Sequence, residues 1–352
     1  MTKATFVMAG GGTGGHVIPA LAVAGELRAR GHAVRFIGTR RGLESKLVLA
    51  ENFPLEYIEI GGLKRVGLRR TLTTLAELPV SVWQAARMLE RSGAAAVFSM
   101  GGYVAGPALL AALWKRLPVV VMEPNAMPGF THRRLARFVS RALLSFEETA
   151  RWFPRGRTEI TGLPVREEFA ALKPKPRSMF LTVLITGGSQ GSRTLNRAAE
   201  QAWPLLKSAK IRLIHQTGLA AYEEIAARFR SADVDGEITP FFSDMPTAFA
   251  QADLVVSRAG AGTVSELAAA GKPSILVPLP TASDQHQLRN AQAFERAGAS
   301  RLLLDSETTG PRLVEEIAKI STQLDQMAAA VRSLAHPGAA RRAAEVLETF
   351  LN

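Results

Sequence analysis

Thr5-Phe6-Val7-Met8-Ala9-Gly10-Gly11-Gly12-Thr13-Gly14-Gly15-His16 is the stretch that decides the fold. It opens as a short apolar run suited to a strand buried on both faces and passes into a glycine turn. Val17 to Arg30 follows with helical spacing and stops at Gly31, a natural helix terminator. The same pattern then returns after a break. Leu172 to Ser178 is Pro-rich and charged and cannot continue a helix, and Met179 to Thr186 leads into a second turn, Gly187-Gly188-Ser189-Gln190-Gly191-Ser192. Further strand-like runs lie at Val34 to Gly38, Ala95 to Met100, Val119 to Met122 and Ala142 to Ser145 in the first series. Ile211 to Gln216, Leu254 to Ser257 and Ser274 to Val277 continue the second. The expected class is α/β, with two Rossmann-like doubly wound domains in tandem, each binding its ligand at the carboxyl ends of parallel strands.

The composition fits that expectation. At 352 residues, 47% apolar and 21% charged, the chain has material for two buried cores and too much hydrophobicity for disorder. With no cysteine, disulfide scaffolds, thiolate zinc sites and cysteine nucleophiles are excluded. The amino terminus has only Lys3 as a basic region and reads as a first strand, not a signal peptide, which suits a cytoplasmic protein. Ser92 to Trp114 carries no charge over 23 residues, long enough for a membrane span. Gly101, Gly102, Gly106 and Pro107 divide it into a strand, a turn and a short helix instead.

The formal charge of +12 is unevenly spread. Residues 1–163 hold 22 Lys and Arg against 11 Asp and Glu, and the remainder 21 against 20. Nucleic acid, an anionic membrane and a phosphorylated substrate are the partners such an excess could serve, beside a merely solvated basic face. Nucleic acid fits poorly, because stacking aromatics are scarce at 7% and no nucleic-acid module is recognisable. The stretch 61–83 interleaves Lys64, Arg65, Arg69 and Arg70 with Leu68, Leu72, Leu75, Leu78 and Trp83. That suits peripheral attachment to a lipid surface, and equally a helix whose apolar side covers its own domain.

Both glycine turns precede helices, so each is expected to offer free backbone N–H groups to an anion. Gly10, Gly12 and Gly15 satisfy a dinucleotide fingerprint, yet the ribose-binding acid expected after the second strand is replaced by Thr39, Arg40 and Arg41. His16 stands where its ring could reach a bound substrate as general base, or could order the loop. Glu266 could favour the dipole of its helix or accept both hydroxyls of a ribose diol. Asp284, Gln287 and Asn290 form an amide-rich segment suited to sugar hydroxyls. No second His or carboxylate stands at ligand spacing, so no metal is expected.

Seven motifs in order extend this reading: Gly11 to His16, Met100 to Pro107, Glu123 to Gly129, Thr161 to Arg166, Gly187 to Ser192, Arg258 to Glu266 and Asp284 to Asn290. In these the chain resembles the MurG family over almost its whole length, departing at Pro124, where Gln is usual, and at Gly262, where a bulkier residue is common. The resemblance implies a GT-B fold with the active site in the cleft between two domains. Residues 1–163 would take the lipid acceptor and lean on the membrane, with a helix at about 338–352 packing back on them, and 164–337 would take UDP-GlcNAc. The implied activity is inverting transfer of GlcNAc from UDP-GlcNAc to the 4-hydroxyl of MurNAc in undecaprenyl-pyrophosphoryl-MurNAc-pentapeptide, converting lipid I to lipid II. A UDP-GlcNAc 2-epimerase or another nucleotide-sugar enzyme of the same architecture is the alternative. By the same resemblance Arg166 and the turn from Ser189 face the pyrophosphate, Met245 lends backbone to the uracil, and Glu266 takes the ribose. Gln287, Asn290 and the helix start Ala261, Gly262, Thr263, Val264 and Ser265 hold the sugar and phosphates. Thr13, Gly14, Gly15, His16 and Asn125 complete the acceptor side, with His16 catalytic. UDP-GlcNAc would be substrate and not cofactor, and the location the cytoplasmic face of the bacterial inner membrane, among other cell-wall synthesis proteins.

Overall fold

The computed structural model describes residues 3–60, 68–176 and 178–351, and of 68–76 the backbone alone. It divides into two compact units, Met1–Pro164 with Gly338–Asn352, and Val165–Pro337. In the first unit the strands are β1 (Thr5–Gly10), β2 (Ala33–Gly38), β3 (Leu55–Tyr57), β4 (Ala94–Gly101), β5 (Val119–Glu123), β6 (Arg141–Leu144) and β7 (Thr158–Ile160). They form one parallel sheet in the order β3-β2-β1-β4-β5-β6-β7. In the second, β8 (Leu181–Thr186), β9 (Ile211–Gln216), β10 (Gly236–Thr239), β11 (Leu254–Ser257), β12 (Ser274–Leu276) and β13 (Ser300–Leu302) are parallel in the order β10-β9-β8-β11-β12-β13.

Helices cover the sheets, which is why the central strands are unbroken apolar runs: Phe6, Val7, Met8 and Ala9 are all buried, as are Val183, Leu184 and Ile185. In each unit the strand order reverses beside the first strand, between β1 and β4 and between β8 and β11. A doubly wound sheet opens a crevice at the carboxyl side of such a reversal. The two glycine turns follow β1 and β8 and therefore stand at those two points.

The apolar stretch 92–114 resolves into β4, a turn and the helix Ala105–Trp114, so its lack of charge reflects burial inside a domain. Among the described residues no helix is long and apolar enough to cross a membrane. The helix Leu68–Ser92 buries Ala85, Ala86 and Leu89 in the core of its unit and leaves Val80 and Trp83 exposed. Lys64 and Arg65 lie outside the described residues, as do the side chains of Leu68, Arg69, Arg70, Leu72 and Leu75.

The C-terminal helix Ala339–Glu348 belongs to the first unit. It buries Ala343, Ala344, Val346 and Leu347. Its polar edge is tied down by Arg342 to Glu159 at 2.5 and 3.1 Å, and by Glu348 to Arg30 at 2.8 Å and to His32 at 3.0 Å.

Candidate functional site

In the first unit, β1 ends in Gly10 and the chain turns through Gly11 and Gly12 into the helix Gly14–Ala29. Thr13 is the N-cap. Its carbonyl accepts the N–H groups of His16 and Val17 at 3.1 and 3.2 Å, and its Oγ1 lies 3.1 Å from His16 Nδ1. His16 is half-buried in the first helical turn. Beside it runs the Gly101-Gly102 turn that follows β4: a Cβ on Gly102 would stand 2.8 Å from the Gly11 carbonyl oxygen and 3.7 Å from His16 Nδ1. Two buried carboxylates hold this edge of the sheet from behind. Glu123, ending β5, accepts the Asn125 N–H at 3.1 Å and its Nδ2 at 3.2 Å through one oxygen, and the Gly129 N–H at 2.9 Å through the other. That second oxygen also meets His132 Nδ1 at 2.8 Å, and these donors keep the Glu123 acid low despite burial. His132 Nε2 in turn lies 3.4 Å from Ser99 Oγ, which accepts the Gly101 N–H at 3.0 Å. Thus Asn125 and the Gly101 turn are set by one network, and Pro124 does not interrupt it.

The second carboxylate, Glu44, corrects the expectation that all the N–H groups of the first turn are free for an anion. It takes the Gly12 N–H at 2.8 Å, so one of the donors of the first turn is already spent on an acid of the chain itself. The acid missing after the second strand is also found here: it stands at Glu44, turned inward and fully buried, out of reach of any ribose.

The second turn is built with neutral groups. Gly191 has φ +71°, and a Cβ there would lie 2.1 Å from the Thr217 carbonyl oxygen, so only glycine fits. Gln216 donates to the Gly188 carbonyl at 2.8 Å and accepts the Phe242 N–H at 3.2 Å. Asn196 donates to the Thr217 carbonyl at 2.9 Å and receives the Nε2–H of the buried His215 at 3.0 Å. Ser192 caps the helix Arg193–Leu206 by accepting the Leu195 N–H. A half-buried clasp, Arg258 to Asp305 at 2.5 Å with Thr194 Oγ1 donating to the same acid at 3.1 Å, ties this helix to the segments after β11 and β13.

Arg166, Met245 and the helix Ala261–Ala270 come together through packing of the short helices, and that last helix follows β11, the neighbour of β8, whose end carries the Ser189 turn. Arg166 caps the short helix Glu167–Ala170, which packs against the helices Met245–Gln251 and Ala261–Ala270. Its guanidinium stands 4.0 Å from Glu266. Burial nevertheless outweighs that cation and pushes the Glu266 acid up to about 7. Ala261, Gly262, Thr263 and Ser265 are partly exposed. A Cβ on Gly262 would meet nothing within 4 Å, so the small residue leaves this helix start open. Val264 is buried with its N–H on the Gly260 carbonyl. Gln287 accepts the Leu279 N–H at 2.9 Å, and Asn290, fully buried, donates to the Ala259 carbonyl at 3.1 Å; both shape the segments that lead into the site. Among the described residues no group of three His, Asp or Glu could hold a metal ion.

Comparison with known proteins defines the class first. Residues 6–144 match the model of the glycosyltransferase family 28 N-terminal domain and residues 182–346 that of its C-terminal domain. The UDP-N-acetylglucosamine–N-acetylmuramyl-(pentapeptide) pyrophosphoryl-undecaprenol N-acetylglucosamine transferase of Solibacter usitatus is 59% identical over 99% of this chain and 96% of its own length. The enzyme of the same name from Azotobacter vinelandii is 42% identical over 97% and 98%. Acinetobacter baumannii MurG, a solved structure, superposes with a TM-score of 0.83 at 33% identity, covering 98% of this chain and 99% of that one. The chain belongs to the MurG family, and its fold is that of the GT-B glycosyltransferases.

His215 yields a prediction about the second unit. Burial pushes its imidazole down to about 4, so the folded protein keeps it neutral while the unfolded chain takes up a proton near pH 6.5. Its stabilising effect is complete above about pH 6.5 and fades as pH falls toward 4, by roughly 3 kcal/mol in all. Hydrogen-exchange protection of β8 and β9 should weaken over that window, and less so in His215→Gln. Equal acid sensitivity in the two proteins would contradict the assignment.

Proposed function

We propose that this chain transfers GlcNAc from UDP-GlcNAc to the MurNAc 4-hydroxyl of undecaprenyl-pyrophosphoryl-MurNAc-pentapeptide, the step that completes lipid II for peptidoglycan, and so serves cell-wall growth, cell shape and division. The observation that carries this is the near-full-length likeness to the Solibacter usitatus transferase, at 59% identity. In the second unit, the Ser189 turn, the start of Ala261–Ala270 and Arg166 offer oriented N–H groups and a cation to the UDP pyrophosphate, Met245 offers backbone to the uracil, and Glu266 accepts the ribose hydroxyls. Gln287 and Asn290 support the sugar side. These groups stabilise charge as it grows on the leaving β-phosphate, so the reaction as read here calls on no metal.

In the first unit, His16 takes the acceptor together with Thr13, Gly14, Gly15 and Asn125. His16 removes the proton of the 4-hydroxyl as that oxygen bonds to the anomeric carbon from the face opposite UDP. The bond from that carbon to the phosphate oxygen breaks, and its electron pair leaves with UDP. Incubation of labelled UDP-GlcNAc with and without a lipid I analogue tests the whole reading: sugar transfer and UDP release should both require the acceptor. UDP-GlcNAc turned over without acceptor would point to the 2-epimerase alternative. His16→Ala should lower kcat by roughly 10²- to 10⁴-fold, and near-normal turnover would demote His16 to ordering its loop.

Glu266 has to be ionised to accept two hydroxyls, and its acid sits at about 7. UDP should therefore bind roughly tenfold more weakly at pH 6 than at pH 8 by calorimetry, and Glu266→Gln should flatten that dependence. A pH profile identical in the two proteins would remove the ribose assignment.

The first unit also carries the features of a peripheral membrane protein. Trp83 (51% exposed) and Trp114 (63%) stand on two helices that pack together, each under a cation, Arg87 and Lys115. Phe130, Phe138 and Trp152 repeat the pairing with Arg134, Arg137 and Arg151. Aromatic rings beside cations suit the headgroup layer of an anionic bilayer. The protein should float with anionic vesicles at low salt, and Trp83→Ser with Trp114→Ser should weaken that by about tenfold or more. Equal binding to neutral vesicles would rule out the electrostatic part.

A further inference from the structure

Glu44 is the largest investment in the first unit that the reaction as read above leaves unused. It opens the helix Glu44–Ala50 and is 0% exposed, and among the described residues it forms no ion pair. An unpaired buried carboxylate is costly unless its oxygens are fully hydrogen-bonded. Here they are: Oε1 accepts the Thr39 N–H at 2.9 Å and the Thr39 hydroxyl at 2.8 Å, and Oε2 accepts the Gly12 N–H at 2.8 Å. Room for it comes from glycines on two segments, since a Cβ on Gly11 in the first turn, or on Gly38 at the end of β2 or Gly42 just beyond it, would come within 2.6 Å of its side chain. Tyr103 closes the cage. Its hydroxyl lies 3.3 Å from Thr39 Oγ1, and its ring covers Gly12, where a Cβ would stand 3.1 Å from Cε1.

Gly12 is held at φ +91° in this grip. The next residue, Thr13, has the extended backbone of an N-cap, and its hydroxyl lies 3.1 Å from the His16 ring. One residue therefore separates the acid from the group that orients the histidine. We propose that Glu44 is a positioning residue of the transfer reaction: by fixing Gly12 it sets Thr13, and through Thr13 the ring of His16. Glu44 touches no substrate. A ligand-binding acid would be open to the crevice, whereas Glu44 is closed off from it and bonded to the turn that presents His16.

The proposal rests on His16 acting on the acceptor, and the test separates the two. Glu44→Gln keeps the volume but sets an amide N–H against one of the donors. It should lower kcat by about 10- to 100-fold, while calorimetric UDP affinity, a property of the second unit, stays within about twofold. In a His16→Ala background the same change should cost less than about threefold, because the ring it orients is gone. Should Glu44→Gln fail to fold, Thr39→Val, which removes a single donor to the carboxylate, should show a smaller kcat loss with the same non-additivity. Effects of Glu44 and His16 that multiply, or a parallel loss of UDP affinity, would mean a structural role and overturn the proposal, as would wild-type kcat in a folded Glu44→Gln or, when it does not fold, in Thr39→Val. Near-normal turnover of His16→Ala alone would instead sink the reading of His16 as base, and this proposal with it.

Discussion

A glycine turn at the end of a parallel strand exposes backbone N–H groups that need acceptors, and the rest of this structure depends on how that need is met. In the first unit acids meet it: Glu44 under Gly12, and Glu123 under Asn125 and Gly129. In the second unit uncharged oxygens meet it, Thr186 Oγ1 accepting the Gly188 N–H and the Gly188 carbonyl the Gly191 N–H, while Gln216 and Asn196 brace the turn from behind by donating to the Gly188 and Thr217 carbonyls. The difference is electrostatic. A carboxylate behind a turn cancels part of the positive potential of the helix start, and a neutral amide leaves it in place for a ligand. The first turn is thereby better suited to a sugar hydroxyl and its base, and the second to a pyrophosphate.

Rigidity follows from the same arrangement. Gly191 pressed on the Thr217 carbonyl, and the Arg258–Asp305 clasp, leave the second turn little freedom. Preorganised donors are worth more than mobile ones, because no reorganisation is needed as charge develops on the leaving group. Asn290 and Val264 belong to this scaffold, since the buried amide holds the Ala259 carbonyl just ahead of the helix in which Val264 is buried.

The central strands were legible because burial on both faces writes them as continuous apolar runs, and the two turns because glycine marks a backbone that no other residue can follow. The outer strands Leu55–Tyr57, Thr158–Ile160, Gly236–Thr239 and Ser300–Leu302 were not, being three or four residues long and only partly buried. His16, Glu266 and Arg166 could be picked out by chemistry and motif. Glu44 could not: reading along the chain seeks an acid directly after β2, and only folding returns one from five residues beyond Thr39 to the Thr39 and Gly12 N–H groups. His215 and Asn196 escaped for the same reason, since a buried polar network is a property of contacts across strands.

The transfer proposed needs a nucleotide-sugar site at the carboxyl ends of β8 and β11, with the acceptor chemistry left to the first unit. The most direct measurement is a crystal structure of the full chain with UDP bound. The pyrophosphate should lie on the Ser189–Ser192 turn and the start of the helix Ala261–Ala270, with the ribose on Glu266. UDP seated at the first turn, beside His16, would contradict it.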